Sequence, residues 1–142
     1  MTSPPAATSS ASAVSDRVRA DSLFNALPHP VFAVDGDDIV VAANAAAESF
    51  FHVSTTVLQR HEIEAIIPFG SPLFEVMRAV RERGAAVSEY RVAIGTPRTG
   101  GERLVDIYVS PLIEDPNVLV VMLHERTIAE KFDRQLTHRA SV

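Results

Sequence analysis

The histidines are the residues of this chain whose type best suits metal binding or acid–base chemistry. His61-Glu62 begins like the zinc-protease motif His-Glu-x-x-His, but Ala65 stands where the second histidine is required. Met77 would be a weak ligand at most, and a methionine that fills a gap in the core is the more ordinary interpretation. The remaining histidines have no second histidine or carboxylate at ligand spacing: His29, His52, His124 and His138. We therefore expect no metal site and no cofactor.

Patterns for enzymatic chemistry are also missing from the sequence. No serine lies in a nucleophile elbow, and no pair of carboxylates falls within an apolar pattern. Asp35, Asp37 and Asp38 cluster in a turn, where aspartate is favoured for backbone reasons. Gly100-Gly101 is followed by no helix that would cradle a phosphate. The chain has no cysteine, which excludes disulfides and thiol nucleophiles. We expect that this chain is not an enzyme.

The elements that position these residues belong to one domain with a real core, because 46% of the 142 residues are hydrophobic. Arginine and lysine are scattered and the net charge is −5, which argues against nucleic acid as a partner. No apolar stretch approaches the roughly 18 residues of a membrane span. Residues 1–18 are mostly Pro, Ala, Ser and Thr, and we expect them to be disordered.

The first ordered elements are a helix and a hairpin. Leu23, Phe24 and Leu27 form one face of a short helix over 20–27, and Pro28 ends it. Strands are predicted over 31–35 and 38–42, with a Gly-Asp turn between them. Asn44 then caps a helix that ends at residue 51.

The rest of the chain changes from helical to strand periodicity. Helices are predicted over 54–60, 62–67 and 72–83, strands over 89–94, 104–109 and 118–123, and a last helix over 125–138. The continuous apolar run of the last strand indicates a central position in the sheet. Antiparallel strands with helices grouped between the second and third strands predict an α+β domain.

This order of elements resembles a PAS domain, a five-stranded antiparallel sheet with short helices on one face, here flanked by N- and C-terminal helices. The resemblance is closer in five segments, which are similar to the N-terminal sensor region of the nitrogen-regulation sensor histidine kinases, the NtrB family: LFNALPHPV, PFGSPL, SEYRV, IGTPR and DRQLTHR. It covers about residues 20–139. It implies a PAS sensor domain over 19–125 and the start of a signalling helix over 126–142.

The resemblance also implies a cytoplasmic two-component kinase in which a phosphoacceptor histidine and an ATP-binding domain follow the sensor. The chain stops at Val142, so it is either a fragment of such a kinase, which we expect, or a naturally short relative. His61-Glu62-Ile63 begins like the phosphoacceptor box His-Glu-Ile-Lys-Asn-Pro, but continues Glu64-Ala65-Ile66. The implied partners are a second copy of the chain, the kinase core and, through the full-length protein, a response regulator and a PII-type regulator.

Three groups of residues are candidates for function. The sheet and helices would enclose an interior, either a plain core or a ligand pocket, lined by Phe32, Val34, Phe50, Leu58, Ile66, Phe74, Met77, Tyr90, Val92, Ile107 and Val121. Leu23, Phe24 and Leu27 are candidates for a dimer interface, or else they fold back on their own sheet. Signal output would pass through the end of the last strand and the final helix, at Glu125, Thr127, Ile128, Phe132 and Leu136. Glu125 and Thr127 resemble the acidic residue and the threonine of the Asp-Ile-Thr turn of PAS domains.

Overall fold

The fold is seen in a computed structural model, which describes residues 19–59, 61–67, 71–96 and 101–126. Residues 19–26 form helix α1. The remaining elements follow in chain order: β1 (Val31–Val34), β2 (Val40–Ala43), α2 (Ala45–Phe51), α3 (Thr55–Leu58), α4 (Ile63–Ile66), α5 (Ser71–Arg83), β3 (Val87–Thr96), β4 (Gly101–Pro111) and β5 (Leu119–Glu125). No helix among these residues is long and apolar enough to cross a membrane.

The five strands form a single antiparallel sheet in the order β2-β1-β5-β4-β3. The predicted α+β class is confirmed, and β5 occupies the central position that its apolar run indicates. Alternate residues of a strand point to opposite faces of the sheet. The inner face packs against the helices, and its central strands contribute Val105, Ile107, Val109, Leu119, Val121 and Leu123.

Asn44 holds the start of the sheet and the start of α2 together. Its Oδ1 accepts hydrogen bonds from the N–H groups of Ala47 and Val31, at 2.9 and 3.0 Å. Its Nδ2 donates to the carbonyl oxygens of His29 and Phe24, at 3.0 and 3.3 Å. The predicted helix cap is confirmed, and the same fully buried side chain also fastens β1 and α1.

Arg81 of α5 ties the helix layer to two turns at one end of the sheet. Its guanidinium donates to the carbonyl oxygens of Asp35 and Asn117, at 2.8 and 2.9 Å, and to Asp38 Oδ1 at 2.8 Å. Asp35 Oδ1 in turn accepts from the N–H groups two and four residues later, which is the turn role predicted for that aspartate.

A β-bulge in β3 corrects one predicted orientation. Glu89 pairs with Ile107 and Val92 pairs with Val105, so Tyr90 and Arg91 together oppose one residue of β4. Arg91 has a φ of 57°, in the left-handed region. The extra residue reverses the alternation, which turns Val92 inward and leaves Tyr90 60% exposed on the outer face. Tyr90 was predicted to line the interior, and that prediction is wrong.

The two edges of the sheet differ. The edge at β2 is covered by the segment between α3 and α4: Val40 N–H donates to the His61 carbonyl, and Ile63 N–H donates to the Asp38 carbonyl, at 3.2 and 2.9 Å. The opposite edge is β3, whose line of backbone groups is broken by the bulge.

Candidate functional site

Ten of the eleven residues predicted to line the interior belong to the packed core or contact it. Ile66, Phe74 and Val92 are partly buried against the core cluster, and the other seven lie within it: Phe32, Val34, Phe50, Leu58, Met77, Ile107 and Val121. Phe51 packs edge-on against Phe32 and Phe50, with ring centroids 5.5 and 5.1 Å apart. These side chains bring the sheet and the helices into direct contact.

A separate cavity of about 210 Å³ lies among α2, α3 and α4. It shares only Leu58 and Ile66 with the predicted lining, and its full lining is Phe51, Val53, Val57, Leu58, His61, Ala65 and Ile66. His61 Nδ1 lies 2.7 Å from the Val57 carbonyl oxygen. Because a carbonyl can only accept, this bond places a proton on Nδ1, and Nε2 of the neutral ring is then a hydrogen-bond acceptor.

Helix α1 is attached to the domain but leaves apolar side chains in solvent. Its end is fastened by Asn25 Oδ1, which accepts from Ala45 N–H at 3.0 Å. Phe24 is half-buried, whereas Leu23 and Leu27 are 62% and 45% exposed. Of the three predicted interface residues, Phe24 therefore packs partly on its own domain, whereas Leu23 and Leu27 face outward.

The end of β5 is held by two ion pairs on opposite faces of the sheet. On the helix side, Arg103 Nη1 lies 2.8 Å from Glu125 Oε1, and the Arg103 guanidinium carbon lies 5.6 Å from the centre of the Phe50 ring. Glu125 is the last residue of β5, so its predicted place at the start of a helix is corrected. The other predicted output residues lie outside the described part of the chain: Thr127, Ile128, Phe132 and Leu136.

The second ion pair joins Asp106 of β4 to Arg126, the residue that follows β5. Asp106 lies between the inward-facing Val105 and Ile107, so its side chain points to the outer face of the sheet. Arg126 Nε and Nη2 donate to Asp106 Oδ1 and Oδ2, at 3.1 and 2.7 Å. Asp106 Oδ1 also accepts from the backbone N–H of Arg91 in the bulge, at 2.9 Å.

The Asp106 carboxylate is almost wholly buried, with 2% of the residue exposed. Burial alone would raise its pKa, but the hydrogen bonds from Arg126 and from the Arg91 N–H, with the charges of Arg126 and His124, outweigh burial. The net result is that the pKa of Asp106 lies below its usual value of 3.8. Asp106 is therefore a buried anion that three parts of the chain stabilise.

Two histidines that are far apart in sequence meet beside this carboxylate. The rings of His29 and His124 lie 4.5 Å apart, and His124 Nδ1 is 3.8 Å from Asp106 Oδ2. The sequence spacing of these histidines does not indicate this contact, which arises only from the folding of the chain. Among the residues the structure describes, no three histidines or carboxylates are placed to hold a metal ion.

Sequence reasoning missed Asp106 and its partners. The alternation of β4 predicts that residue 106 lies on the outer face, where a charged side chain is normally exposed. Arg126 is 20 residues away and reaches the same spot only because β4 and β5 are adjacent. The available signal is weak: a lone aspartate within the apolar stretch 104–109, and an arginine directly after the next strand.

Comparison with known proteins identifies the family to which the fold belongs. The PAS fold family matches residues 19–126. The chain is 51% identical to a sensory histidine kinase/phosphatase NtrB of Rhizobium meliloti (strain 1021) over 120 residues, which are 84% of this chain and 31% of that protein. It is 41% identical to the NtrB of Rhizobium leguminosarum bv. phaseoli, with the same coverage. The chain therefore spans about a third of the length of these curated relatives.

A solved structure agrees with the fold. The PAS domain of nitrogen regulation protein NR(II) from Vibrio parahaemolyticus superposes with a TM-score of 0.62 at 17% identity, over 75% of this chain and 96% of that one. The predicted resemblance to PAS domains and to the NtrB sensor region is confirmed by these matches.

Proposed function

This chain belongs to the PAS family, and on that premise we propose that it is the regulatory sensor domain of a cytoplasmic histidine kinase of nitrogen regulation. The observation that carries the proposal is the 51% identity to an NtrB kinase/phosphatase over 120 residues. In this proposal residues 19–125 are the sensor, residues 126–142 begin the signalling helix, and the ATP-dependent chemistry resides in a kinase core outside this chain.

The domain would work by passing a conformational bias into that core. The core of the PAS domain and the two ion pairs at the end of β5 support this role, because they fix the point where the chain leaves the sheet. A response regulator would receive the phosphoryl group, and a PII-type regulator would act through the full-length protein. These partners follow from the family resemblance.

Self-association is part of the proposal, and helix α1 supports it. Leu23 on α1 and Leu27, directly after it, expose apolar surface on a segment whose backbone is already held in place through Asn25 and Asn44. Burying a leucine side chain stabilises a complex by roughly 1.5–3 kcal/mol. We infer that a second copy of this chain covers these side chains, with the same patch of each protomer at a two-fold axis.

A domain replacement tests the proposed function. The region of Rhizobium meliloti NtrB that aligns with this chain is replaced by the corresponding residues of this chain, and autophosphorylation and phosphatase activity of the hybrid are measured. We expect a hybrid whose two activities remain regulated as in the parent kinase. The matched control lacks the sensor region altogether. A hybrid that is folded and phosphorylates itself, but has the unregulated behaviour of that control, would contradict the proposal.

A second candidate function is a small-molecule sensor, which the cavity among α2, α3 and α4 favours. Its 210 Å³ suits a small molecule, six of its seven lining residues are apolar in type, and His61 Nε2 can accept one hydrogen bond from the ligand. Native mass spectrometry of the purified chain separates the two functions: a co-purifying ligand that is lost in Ala65→Phe supports the ligand sensor.

A further inference from the structure

Asp106 connects two places that are distant in sequence and lie on opposite sides of β4. On one side its carboxylate accepts from the Arg91 N–H, in the bulge of the edge strand β3. On the other side it accepts two hydrogen bonds from Arg126, directly after β5. One buried carboxylate therefore contacts both the bulge and the last described residue of the chain.

The contact with Asp106 fixes both the position and the orientation of the Arg126 guanidinium. A guanidinium that donates through two nitrogens to both oxygens of a carboxylate is constrained in its plane and approach. The Arg126 side chain is 15% exposed, so it lies against the outer face of the sheet rather than in solvent. The Arg126 N–H also donates to the Leu104 carbonyl at 2.9 Å, which extends the β4–β5 ladder by one residue. Backbone and side chain of residue 126 are thus both attached to β4.

We propose that Asp106 is a positioning residue for the chain that follows β5: through Arg126 it sets the direction in which the chain leaves the sheet after residue 126. This direction also depends on the bulge in β3. A displacement of the Arg91 N–H would displace the Asp106 carboxylate that accepts its hydrogen bond, and Arg126 with it. The relevance to signalling rests on the proposed sensor function, whereas the positioning itself is a property of this chain alone.

A buried ion pair at this place is not explained by stability alone. A buried pair must lose its hydration, and apolar side chains of similar volume often stabilise a protein as well or better. The neighbouring outer-face residues Tyr108 and Met122 are of this kind, and they pair across the same two strands. An apolar pair at positions 106 and 126 would fill the same space but would not fix the orientation of residue 126 relative to β4. The ion pair therefore adds a defined orientation.

Electron spin resonance tests the proposal in this chain, independently of any kinase. Because the protein has no cysteine, spin labels are introduced by Glu82→Cys, on the exposed side of α5, and by Ala129→Cys. Labelled chain is diluted with unlabelled chain so that only distances within one molecule are measured. We expect a narrow distance distribution in the parent and, in Asp106→Asn, a distribution that is shifted or at least doubled in width.

The control and a second variant separate positioning from loss of fold. Ser110→Ala lies on the same strand and face as Asp106, and is expected to keep the parent distribution. Asp106→Leu/Arg126→Met removes both charges together, so it leaves no unpaired buried charge and is expected to stay folded by circular dichroism, with the distribution shifted or broadened. A parent distribution that is already broad, or a folded double variant that keeps the parent distribution, would overturn the proposal. Failure of the domain replacement with a positive result here would reject only the proposed function.

Discussion

Arg103 and Glu125 form an ion pair between β4 and β5, with 2.8 Å between Nη1 and Oε1, on the sheet face opposite to Asp106 and Arg126. The side chains are 34% and 38% exposed, whereas those of Arg126 and Asp106 are 15% and 2% exposed. The two pairs at the same end of the sheet therefore differ in their access to water, and we expect their removal to have different consequences.

Glu125→Gln is expected to lower the free energy of unfolding by less than about 1 kcal/mol, because a solvated ion pair contributes little. Urea denaturation of the purified chain measures this value. Arg126→Gln is the matched comparison and is expected to cost several kilocalories per mole, since it leaves the Asp106 charge buried without its main partner. Equal effects of the two substitutions would contradict the assignment of Glu125 to a solvated pair.

Asn44→Ala is expected to lower the free energy of unfolding by about 2–4 kcal/mol, because it removes a helix cap and leaves buried backbone groups without partners. Ser54→Ala is the control: Ser54 precedes α3 in the same way, but its side chain makes no capping hydrogen bond. We expect that substitution to cost under about 0.5 kcal/mol. If both variants unfold at the same urea concentration, Asn44 does not hold β1, α1 and α2 together.

The lowered pKa of Asp106 predicts how stability depends on pH. A carboxyl group whose pKa is lower in the folded than in the unfolded state contributes stability above its unfolded pKa, and that contribution is lost as the pH falls through the folded pKa. The groups that face the carboxylate are Arg126, His124 and the Arg91 N–H. We expect the difference in unfolding free energy between the parent and Asp106→Asn to be steady above about pH 5 and to shrink below about pH 4. A difference that stays constant to the acid limit of folding would contradict the lowered pKa.

Leu23→Asp/Leu27→Asp is expected to shift the chain from dimer to monomer, because the exposed apolar surface of α1 and of the residue that follows it becomes charged. Light scattering coupled to gel filtration measures the mass, and circular dichroism checks the fold. The control is Val57→Asp, an apolar residue with similar exposure, 44%, at a different place on the surface. A double variant that remains dimeric and folded would exclude α1 from the interface.

The sequence predicts those features that depend on near neighbours in the chain. The Asn44 cap, the aspartate turn and the end of α5 at Gly84, whose φ is 68°, need only the local backbone chemistry of Asn, Asp and Gly. The order of helices and strands follows from apolar spacing, and the PAS resemblance then supplies the topology.

Features that depend on the partner strand were not predictable in this way. The orientation of Tyr90 depends on the bulge, which exists only in the register of β3 against β4. The burial of Asp106 depends on Arg126, and the contact of His29 with His124 depends on the pairing of β1 with β5. Each of these requires the three-dimensional neighbours of a residue, which one sequence without its structure does not provide.

The different closure of the two sheet edges has a consequence for the behaviour of concentrated solutions. An exposed straight strand is a template onto which a strand of another molecule can add, and repetition of that step leads to fibrils. Here the Val40 N–H of β2 already donates to the His61 carbonyl and the Val41 carbonyl already accepts from the Gln59 side chain, and the bulge at Arg91 breaks the repeat that a strand adding to β3 would have to match. Among the described residues both sheet edges are therefore interrupted for open-ended growth, whereas the apolar side chains of Leu23 and Leu27 are exposed and suit a finite assembly.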